Sequence, residues 1–353
     1  MFYKYLFCFL TGIALLLFGC NNDKKQNNYP IIPYPEELIA KPGQFRFTNE
    51  TKIILSSHSE DGVRLVAKQF EEEFQKASGI LLETTIVDND PQSVDNAVCF
   101  VNNEKIVGNE SYSLEINKNN VLISASSPVG FFYALQTLKQ LLPVAIYGRE
   151  VAQNTLWVLP CAKINDSPCV SSRGLVLNAE KDSISIKEMK GIINIMAVHK
   201  LNILYWYMNN YSENPEVEPG NNDTVRSGYN YIQEYIQEIT EYASEQFIRI
   251  TITDNLSKDT DLVFRLLDYQ KQIYSICTRN NIESISKNND KYMEYLLLMR
   301  LAAMGESQWT FPENENWERF FINLKYMRNI YNSTEYEYDK YVFDIIQFCQ
   351  EDI

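Results

Sequence analysis

The sequence contains only two histidines, and none of its seven cysteines stands in a Cys-x-x-Cys pair. Structural zinc sites use four cysteine or histidine ligands, mostly at such short spacings. The scarcity of both arrangements therefore argues against a zinc site. No other metal motif and no cofactor motif is present, so we expect the protein to use no cofactor.

Positive charge is in short supply as well. The chain has 32 lysines and arginines against 46 aspartates and glutamates, which gives a formal net charge of −14. Nucleic acids and anionic lipid surfaces attract basic proteins, so this balance argues against both as binding partners. The acidic excess by itself identifies no substrate.

No apolar run reaches the roughly 20 residues that a membrane-spanning helix needs. Residues 6–18 form a shorter run behind Lys4, which is typical of a signal peptide. The run ends in Leu17-Phe18-Gly19-Cys20, which resembles the lipobox of bacterial lipoproteins. We expect a signal peptide over 1–19, lipidation at Cys20, a tether over 20–30 and anchoring to a membrane of the bacterial cell envelope. An ordinary secretory signal is the alternative.

The residues 31–165 predict a first domain of the α+β class. Apolar side chains recur at helical spacing over 61–78, and Gly79 follows as a typical helix end. A second helix is expected after Ser127-Pro128, and a hairpin turn is expected over 117–120. The order of elements predicts helices on one face of a mostly antiparallel sheet.

The proline-flanked segment 160–168 is expected to be a linker to a second domain over 170–353. Cys161 and Cys169 lie eight residues apart around it. They form a disulfide in one interpretation and stay free in the other, because spacing alone does not give the geometry of a bridge.

Strand and helix patterns alternate from Gly174 to Thr253, which predicts an α/β arrangement with parallel strands. A complete (β/α)8 TIM barrel typically needs about 250 residues, and about 200 at the least. The segment 170–353 holds 184 residues. We therefore predict an incomplete TIM barrel in which several central strands are missing.

Several segments resemble the family 20 glycoside hydrolases, the exo-acting β-N-acetylhexosaminidases. The similar segments are Ile32-Pro33-Tyr34-Pro35, Gly130 to Leu138, Arg173 to Leu177, Met196-Ala197, Lys200 to Trp206, Ile248 to Asp254 and Ala302 to Thr310. The resemblance implies a small domain in front of a catalytic barrel, and N-acetylhexosamine-containing glycans as ligands.

The resemblance also implies a mechanism. In the family the 2-acetamido oxygen of the substrate attacks the anomeric carbon, which departs from the usual pair of enzyme carboxylates. An adjacent Asp-Glu pair at the end of the fourth strand holds the acetamido group and protonates the leaving oxygen. General-acid help of this kind contributes about 10²–10⁴-fold to the rate. The dipeptide Asp-Glu occurs nowhere in this chain, so we expect hydrolysis to be lost and assign no catalytic residue.

The other family positions are altered too. A His-Trp-His run with paired aspartates is replaced by Tyr205-Trp206-Tyr207 and Asn209-Asn210, and Asn178 replaces an aspartate after the first strand. An amide carries no charge with which to tune a neighbouring carboxyl. Relaxed constraint on catalysis is the simplest interpretation.

Two side chains remain candidates for substrate binding. The resemblance gives Arg173 a role in contacting sugar hydroxyls, with a structural arginine as the alternative, and Trp206 is either a sugar platform or a core residue. We expect His199 to be a surface or capping group. Glu306 matches a residue on the outer helix and is expected to be structural.

Two further functions stay open. An active exo-β-N-acetylglucosaminidase would need a relocated acid, for which Asp254, Asp259 and Asp261 are the candidates. Alternatively, the chain is a non-enzymatic glycan-binding module or a deletion relic. Missing barrel strands leave sheet edges unpaired, which favours a protein partner over the incomplete barrel; the tyrosines 331, 336, 338 and 341 are a candidate cover within the chain.

Overall fold

A computed structural model describes residues 29–88, 91–148, 150–178, 186–207, 233–253 and 290–333. The first part of the chain forms a seven-stranded sheet with two helices. Its elements are β1 (Glu37–Arg46), β2 (Lys52–Ser56), α1 (Asp61–Ser78), β3 (Glu83–Val87), β4 (Ala97–Asn102), β5 (Tyr112–Ile116), β6 (Asn120–Ala125), α2 (Pro128–Leu141) and β7 (Val158–Asp166).

Local signals placed the two helices correctly. The apolar stripe of α1 is buried, and Gly79 takes a left-handed conformation (φ 74°) from which its amide donates to the Gln75 carbonyl. Only glycine adopts this conformation without a steric cost. In α2 the Ser127 side chain accepts from the Gly130 amide, and Pro128 occupies the first turn. The hairpin turn between β5 and β6 is also confirmed, since the Asn117 amide donates to the Asn120 carbonyl.

The sheet is mixed, and the expectation of a mostly antiparallel sheet was wrong. The strand order is β1-β7-β5-β6-β4-β2-β3. The pairs β1/β7, β7/β5 and β5/β6 are antiparallel, whereas β6/β4, β4/β2 and β2/β3 are parallel. Helix α1 connects β2 to β3 as a crossover, and such a crossover makes the two strands parallel.

The expected linker over 160–168 was wrong as well, because most of it is strand β7. This strand lies inside the sheet between β1 and β5. Pro160 has no amide to donate, and it pairs with Gln44 at the irregularity of β1 where the register shifts. Cys161 is buried in β7, Cys169 is exposed, and both are free thiols, so the disulfide interpretation does not hold in this structure.

The second part of the chain contains a parallel sheet in the order β10-β9-β8. Its elements are β8 (Gly174–Asn178), α3 (Ile186–Val198), β9 (Ile203–Tyr207), α4 (Gln233–Ser244), β10 (Arg249–Thr253), α5 (Asp290–Trp309) and α6 (Trp317–Ser333). The parallel α/β arrangement is confirmed for these strands. No closed barrel is formed by the residues that the structure describes.

The end of α5 lies against the start of β8. The amides of Cys169 and Val170 donate to the carbonyls of Trp309 and Gln308, and the Gly174 amide donates to the Gln308 side chain at 2.8 Å. Gly174 is required here, because a Cβ at this position would lie 1.7 Å from the Ile203 carbonyl oxygen. The C-terminal end of α5 therefore lies next to β8, the first strand of the parallel sheet.

Both parts of the chain share one hydrophobic core. The cluster joins buried side chains of the first part, such as Phe70 and Phe131, to Ile193 and Met304 of the second. The rings of Phe132 and Phe247 pack across the junction with centroids 5.1 Å apart. Burial of this kind is the main stabilising term in folding, so the two parts stabilise each other.

Candidate functional site

In barrel enzymes the catalytic groups follow the carboxyl ends of the parallel strands. Here these ends are Asn178, Tyr207 and Thr253. The side chains of the three residues, and the residues that directly follow them, lie outside the described part of the chain. The same holds for Asn209, Asn210 and the candidate acids Asp254, Asp259 and Asp261.

Arg173 lies at the opposite end of the sheet, directly before β8, and its side chain is fully buried. Its guanidinium donates to both carboxylate oxygens of Glu110 at 2.8 and 2.9 Å, to the Lys200 carbonyl at 2.9 Å and to the Val170 carbonyl at 2.7 Å. It also lies 4.8 Å from the ring centre of Trp309. All three guanidinium nitrogens donate in these contacts, so Arg173 has a structural role.

Trp206 is buried in β9, with its ring 5.8 Å from that of Tyr235 in α4. This is the packing of a core aromatic residue. A role in sugar binding for Trp206 or Arg173 is untested and stays a prediction.

A buried ion pair missed by the sequence analysis links the two parts of the chain. Lys200 Nζ lies 2.6 Å from Asp166 Oδ2, and both side chains are fully buried. The hydroxyl of Tyr112 donates to the same oxygen, and the indole of Trp309 donates to Oδ1 at 2.8 Å. Burial lowers the pKa of Lys200 and the Asp166 carboxylate opposes this change. The pKa of Tyr112 is raised well above its usual value, first by burial and then by Asp166.

The segment 31–36, here called the strap, runs between the first part of the chain and helices α3, α5 and α6. Its residues Ile31 and Ile32 are fully buried. Side chains satisfy its backbone groups as follows: Asn323 donates to Ile31 O, Gln140 accepts from Ile32 N and donates to Ile32 O, His199 bonds Ile32 O, Glu306 accepts from Tyr34 N, Thr310 donates to Tyr34 O, Asp166 accepts from Glu36 N, and Asn314 donates to Glu36 O. A buried irregular segment needs such partners.

His199 is one of these partners, and the expectation of a surface or capping group was wrong. Its ring is fully buried and bonds the Ile32 carbonyl through Nδ1 at 3.1 Å and the Tyr331 hydroxyl through Nε2 at 2.7 Å. A carbonyl only accepts, so Nδ1 carries the proton and Nε2 accepts from Tyr331. Burial lowers the pKa of His199 to about 4, although the bond to Ile32 raises it.

Glu306 has the structural placement that was expected. Its carboxyl is buried in α5, accepts from the Tyr34 amide at 2.9 Å and lies 3.4 Å from an Arg319 nitrogen. Arg319 in turn covers the Tyr34 ring at 3.5 Å. Burial raises the pKa of Glu306 to about 7 and outweighs the lowering effects of the Tyr34 bond and the Arg319 charge.

The side chains described around Arg173, the Lys200–Asp166 pair and the strap stabilise the junction between the two parts of the chain. They present no pair of acids to solvent. In a parallel barrel, residues at the N-terminal ends of the strands stabilise the fold, whereas catalytic residues lie at the C-terminal ends. Within the described ranges no group of three or more His, Cys, Asp or Glu side chains is placed to hold a metal ion. None of the helices among those residues has the length and apolarity needed to cross a membrane.

Comparisons with known proteins agree with the resemblance in the sequence. The model of glycosyl hydrolase family 20, domain 2, matches residues 28–167. The β-hexosaminidase of Porphyromonas gingivalis is 28% identical over 257 residues, which cover 67% of this chain and 32% of that protein. The β-hexosaminidase of Vibrio furnissii is 24% identical over 242 residues, covering 62% and 36%. The chain thus spans about a third of the length of these curated relatives.

Solved structures share the fold. The β-N-acetylhexosaminidase of Streptomyces coelicolor aligns with a TM-score of 0.65 at 14% identity, covering 89% of this chain and 98% of that one. An exo-β-N-acetylglucosaminidase of Vibrio harveyi, solved with N-acetylglucosamine, aligns with a TM-score of 0.63 at 15% identity, covering 89% and 79%. Residues 28–167 match domain 2 of glycosyl hydrolase family 20, and the related sequences and the shared fold support a relationship of the chain to that family.

Proposed function

We propose that this protein is a lipid-anchored protein of the bacterial cell envelope that binds N-acetylhexosamine-containing glycans without hydrolysing them. The observation that carries the proposal is the absence of the Asp-Glu dipeptide from all 353 residues. The resemblance implies that this pair holds the acetamido group and protonates the leaving oxygen. Without the acid, the alkoxide has to leave unprotonated, which forfeits about 10²–10⁴-fold in rate from general-acid help alone.

The second part of the chain is an incomplete TIM barrel in this proposal. The hydrogen bonds from Cys169 and Val170 to the end of α5 support it, because the last helix of a barrel lies beside the first strand. Only residues 254–289 separate β10 from α5. One βα unit of a barrel takes about 30 residues, so this interval is too short for the five strands that would complete the barrel.

The glycan part of the proposal rests on the family and on its named relatives, one of which was solved with N-acetylglucosamine. Its test is equilibrium binding of di-N-acetylchitobiose to the full chain in detergent, followed by calorimetry. Cellobiose is the matched control, because it lacks the acetamido groups. Saturable binding of the first sugar and none of the second supports the proposal, whereas equal behaviour of both sugars contradicts it.

The anchoring part rests on Leu17-Phe18-Gly19-Cys20 and the polar residues that follow. A Cys20→Ala variant lacks the thiol that is acylated and is expected to lose incorporation of labelled palmitate. It should also leave the membrane fraction of the producing bacterium. Cys8→Ala, inside the apolar run, is the control and should keep both properties. Unchanged palmitate incorporation in the Cys20 variant would refute the lipid anchor.

A further inference from the structure

A cavity of about 690 Å³ opens beside helix α6. On the α6 side its wall consists of Tyr326 and Ile330. The walls that face α6 come from the irregularity of β1 and from the end of α2 with the turn behind it. They present mostly prolines and aliphatic side chains, such as Pro42, Leu142, Pro143 and Val144. We call this space the α6 cavity.

Most polar side chains of the α6 cavity already have partners. Gln140 accepts from the Ile32 amide and donates to the Ile32 carbonyl. Lys41 pairs with Glu115 at 2.6 Å, and the Tyr29 hydroxyl donates to a backbone carbonyl of β7. The cavity therefore offers an apolar surface, which suits an apolar occupant better than a charged ligand.

Helix α6 extends this apolar surface beyond the cavity. Ile322 stands four residues before Tyr326, and Tyr326 stands four residues before Ile330, so the three side chains share one face of the helix. Ile322 is 37% exposed. The row therefore runs from the cavity wall out to the surface of the described structure.

The chain that follows α6 has the sequence pattern of an amphipathic helix. Residues 334–353 lie outside the described ranges, so only their sequence is used here. At about 100° per residue, seven apolar side chains between 338 and 349 fall on an arc of about 160°. The seven are Tyr338, Tyr341, Val342, Ile345, Ile346, Phe348 and Cys349. Lys340, Asp344 and Gln347 fall on the opposite side. A helix with such an arc buries it against another apolar surface.

Chain length favours this segment over a separate molecule as the occupant. Helix α6 ends at Ser333, only three residues after Ile330 of the cavity wall. Residues 334–337 are then left as a connection, and helix hairpins typically connect through about 2–5 residues. A segment joined this closely to the cavity has an effective concentration on the order of millimolar. A second copy of the chain would need a comparable concentration in solution to compete.

We propose that residues 338–349 form a helix that lies antiparallel to α6 and covers the α6 cavity with its apolar arc. Both helices advance by the same rise per residue, which fixes the pairs that face each other. Val342 faces Ile330, Ile345 faces Tyr326, and Cys349 faces Ile322.

The docked helix also protects the junction between the two parts of the chain. Helix α6 holds the strap, because Asn323 donates to the Ile31 carbonyl at 3.1 Å and the Tyr331 hydroxyl lies 2.7 Å from His199 Nε2. A helix packed along α6 restrains the element that makes these bonds. The chain in this way supplies its own partner for this face of α6.

The first test is maleimide labelling of Cys349 in the full chain in detergent. Each labelling rate is divided by the rate of the same thiol in urea, and the exposed Cys169 is the internal reference. Docking should slow Cys349 at least about tenfold relative to Cys169. Ile345→Asp places a charge in the apolar arc and should abolish this protection, whereas Gln347→Asp places the same charge on the opposite side and should keep it. Equal relative rates of the two thiols in the natural chain, or full protection in Ile345→Asp, would overturn the proposal.

The second test locates the docked helix. Ile322→Cys places a thiol opposite Cys349, and a short bis-maleimide should join the two within one chain. Val107→Cys is the matched control, because Val107 is 89% exposed and belongs to the first part of the chain. The cross-link to Cys349 should be at least about tenfold more frequent in the first variant. Peptide mapping assigns the products, and circular dichroism checks the fold.

A cross-link no more frequent than in the Val107 variant would overturn the proposal. A cross-link formed only between two chains would also overturn it, and would identify a second copy as the occupant. If Ile322→Cys does not fold, labelling of the natural chain decides, since that measurement needs no substitution on α6.

Discussion

Lys200 and Asp166 form an ion pair 2.6 Å long with both side chains fully buried. Asp166 ends β7 of the first part of the chain, and Lys200 precedes β9 of the second. Tyr112, Trp309 and the Glu36 amide also donate to the carboxylate. The pair therefore joins the two parts at their junction.

Removing one partner of this pair should destabilise the whole chain. Asp166→Ala leaves the Lys200 charge buried without its carboxylate, which typically costs about 3–5 kcal/mol. Urea unfolding followed by tryptophan fluorescence measures the loss. Lys68→Ala is the control, since Lys68 pairs with Glu72 at an exposed site and should change stability by less than about 1 kcal/mol. A loss of stability no larger than that of the control would show that the Lys200–Asp166 pair does not stabilise the protein.

Arg173→Lys should also destabilise the chain, although it keeps the charge. Lysine has no planar fork, so Glu110 loses its two-point contact and the carbonyls of Val170 and Lys200 lose donors. We expect a loss of about 2–4 kcal/mol in urea unfolding. Arg249→Lys is the matched control, because this arginine begins β10 and is exposed. Equal stability of the two variants would contradict a structural role for Arg173.

Gly174→Ala should disrupt the parallel sheet. The added Cβ would lie 1.7 Å from the Ile203 carbonyl oxygen, which is backbone of the neighbouring strand. The strands have to move apart, at a cost of about 3 kcal/mol, the upper end of what overpacking typically costs. Thermal unfolding by circular dichroism measures it. Gly148→Ala is milder, with its closest contact at 3.0 Å, and a similar melting temperature for both variants would count against the strand spacing described here.

Thiol labelling should separate the described cysteines. A maleimide should modify Cys169 in the folded protein, whereas Cys99 and Cys161 are buried and should react only after denaturation. Peptide mapping by mass spectrometry assigns each label. Recovery of a peptide pair joined through Cys161 and Cys169 from a non-reduced digest would show that the bridge forms after all.

Local patterns in the sequence predicted what depends on neighbouring residues. The stripe and the glycine stop of α1, the cap of α2 and the turn after β5 all act within a few residues. Strand β7 was missed because Pro160 argues against a strand inside a sheet, and only the irregularity of β1 opposite it makes the proline acceptable. The parallel pairing of β2, β4 and β6 depends on contacts that no short window contains.

The junction was beyond prediction for the same reason. The partners of His199 lie 167 and 132 residues away in the sequence, at Ile32 and Tyr331. The only available signal was that Ile32-Pro33-Tyr34-Pro35 and the Lys200 segment both resemble the family. That signal marked the segments as important, but it did not show that one runs beside the other.

The central claim of the proposed function is that the chain shares the fold of the family 20 glycoside hydrolases without their hydrolysis. It is tested by release of the chromophore from an aryl β-N-acetylglucosaminide by the full chain in detergent, with circular dichroism to show that the sample is folded. The account predicts a folded protein whose turnover does not exceed that of a mock purification. Turnover above the mock level that disappears in Asp254→Asn would contradict it, and would show that the family's chemistry runs on a different acid.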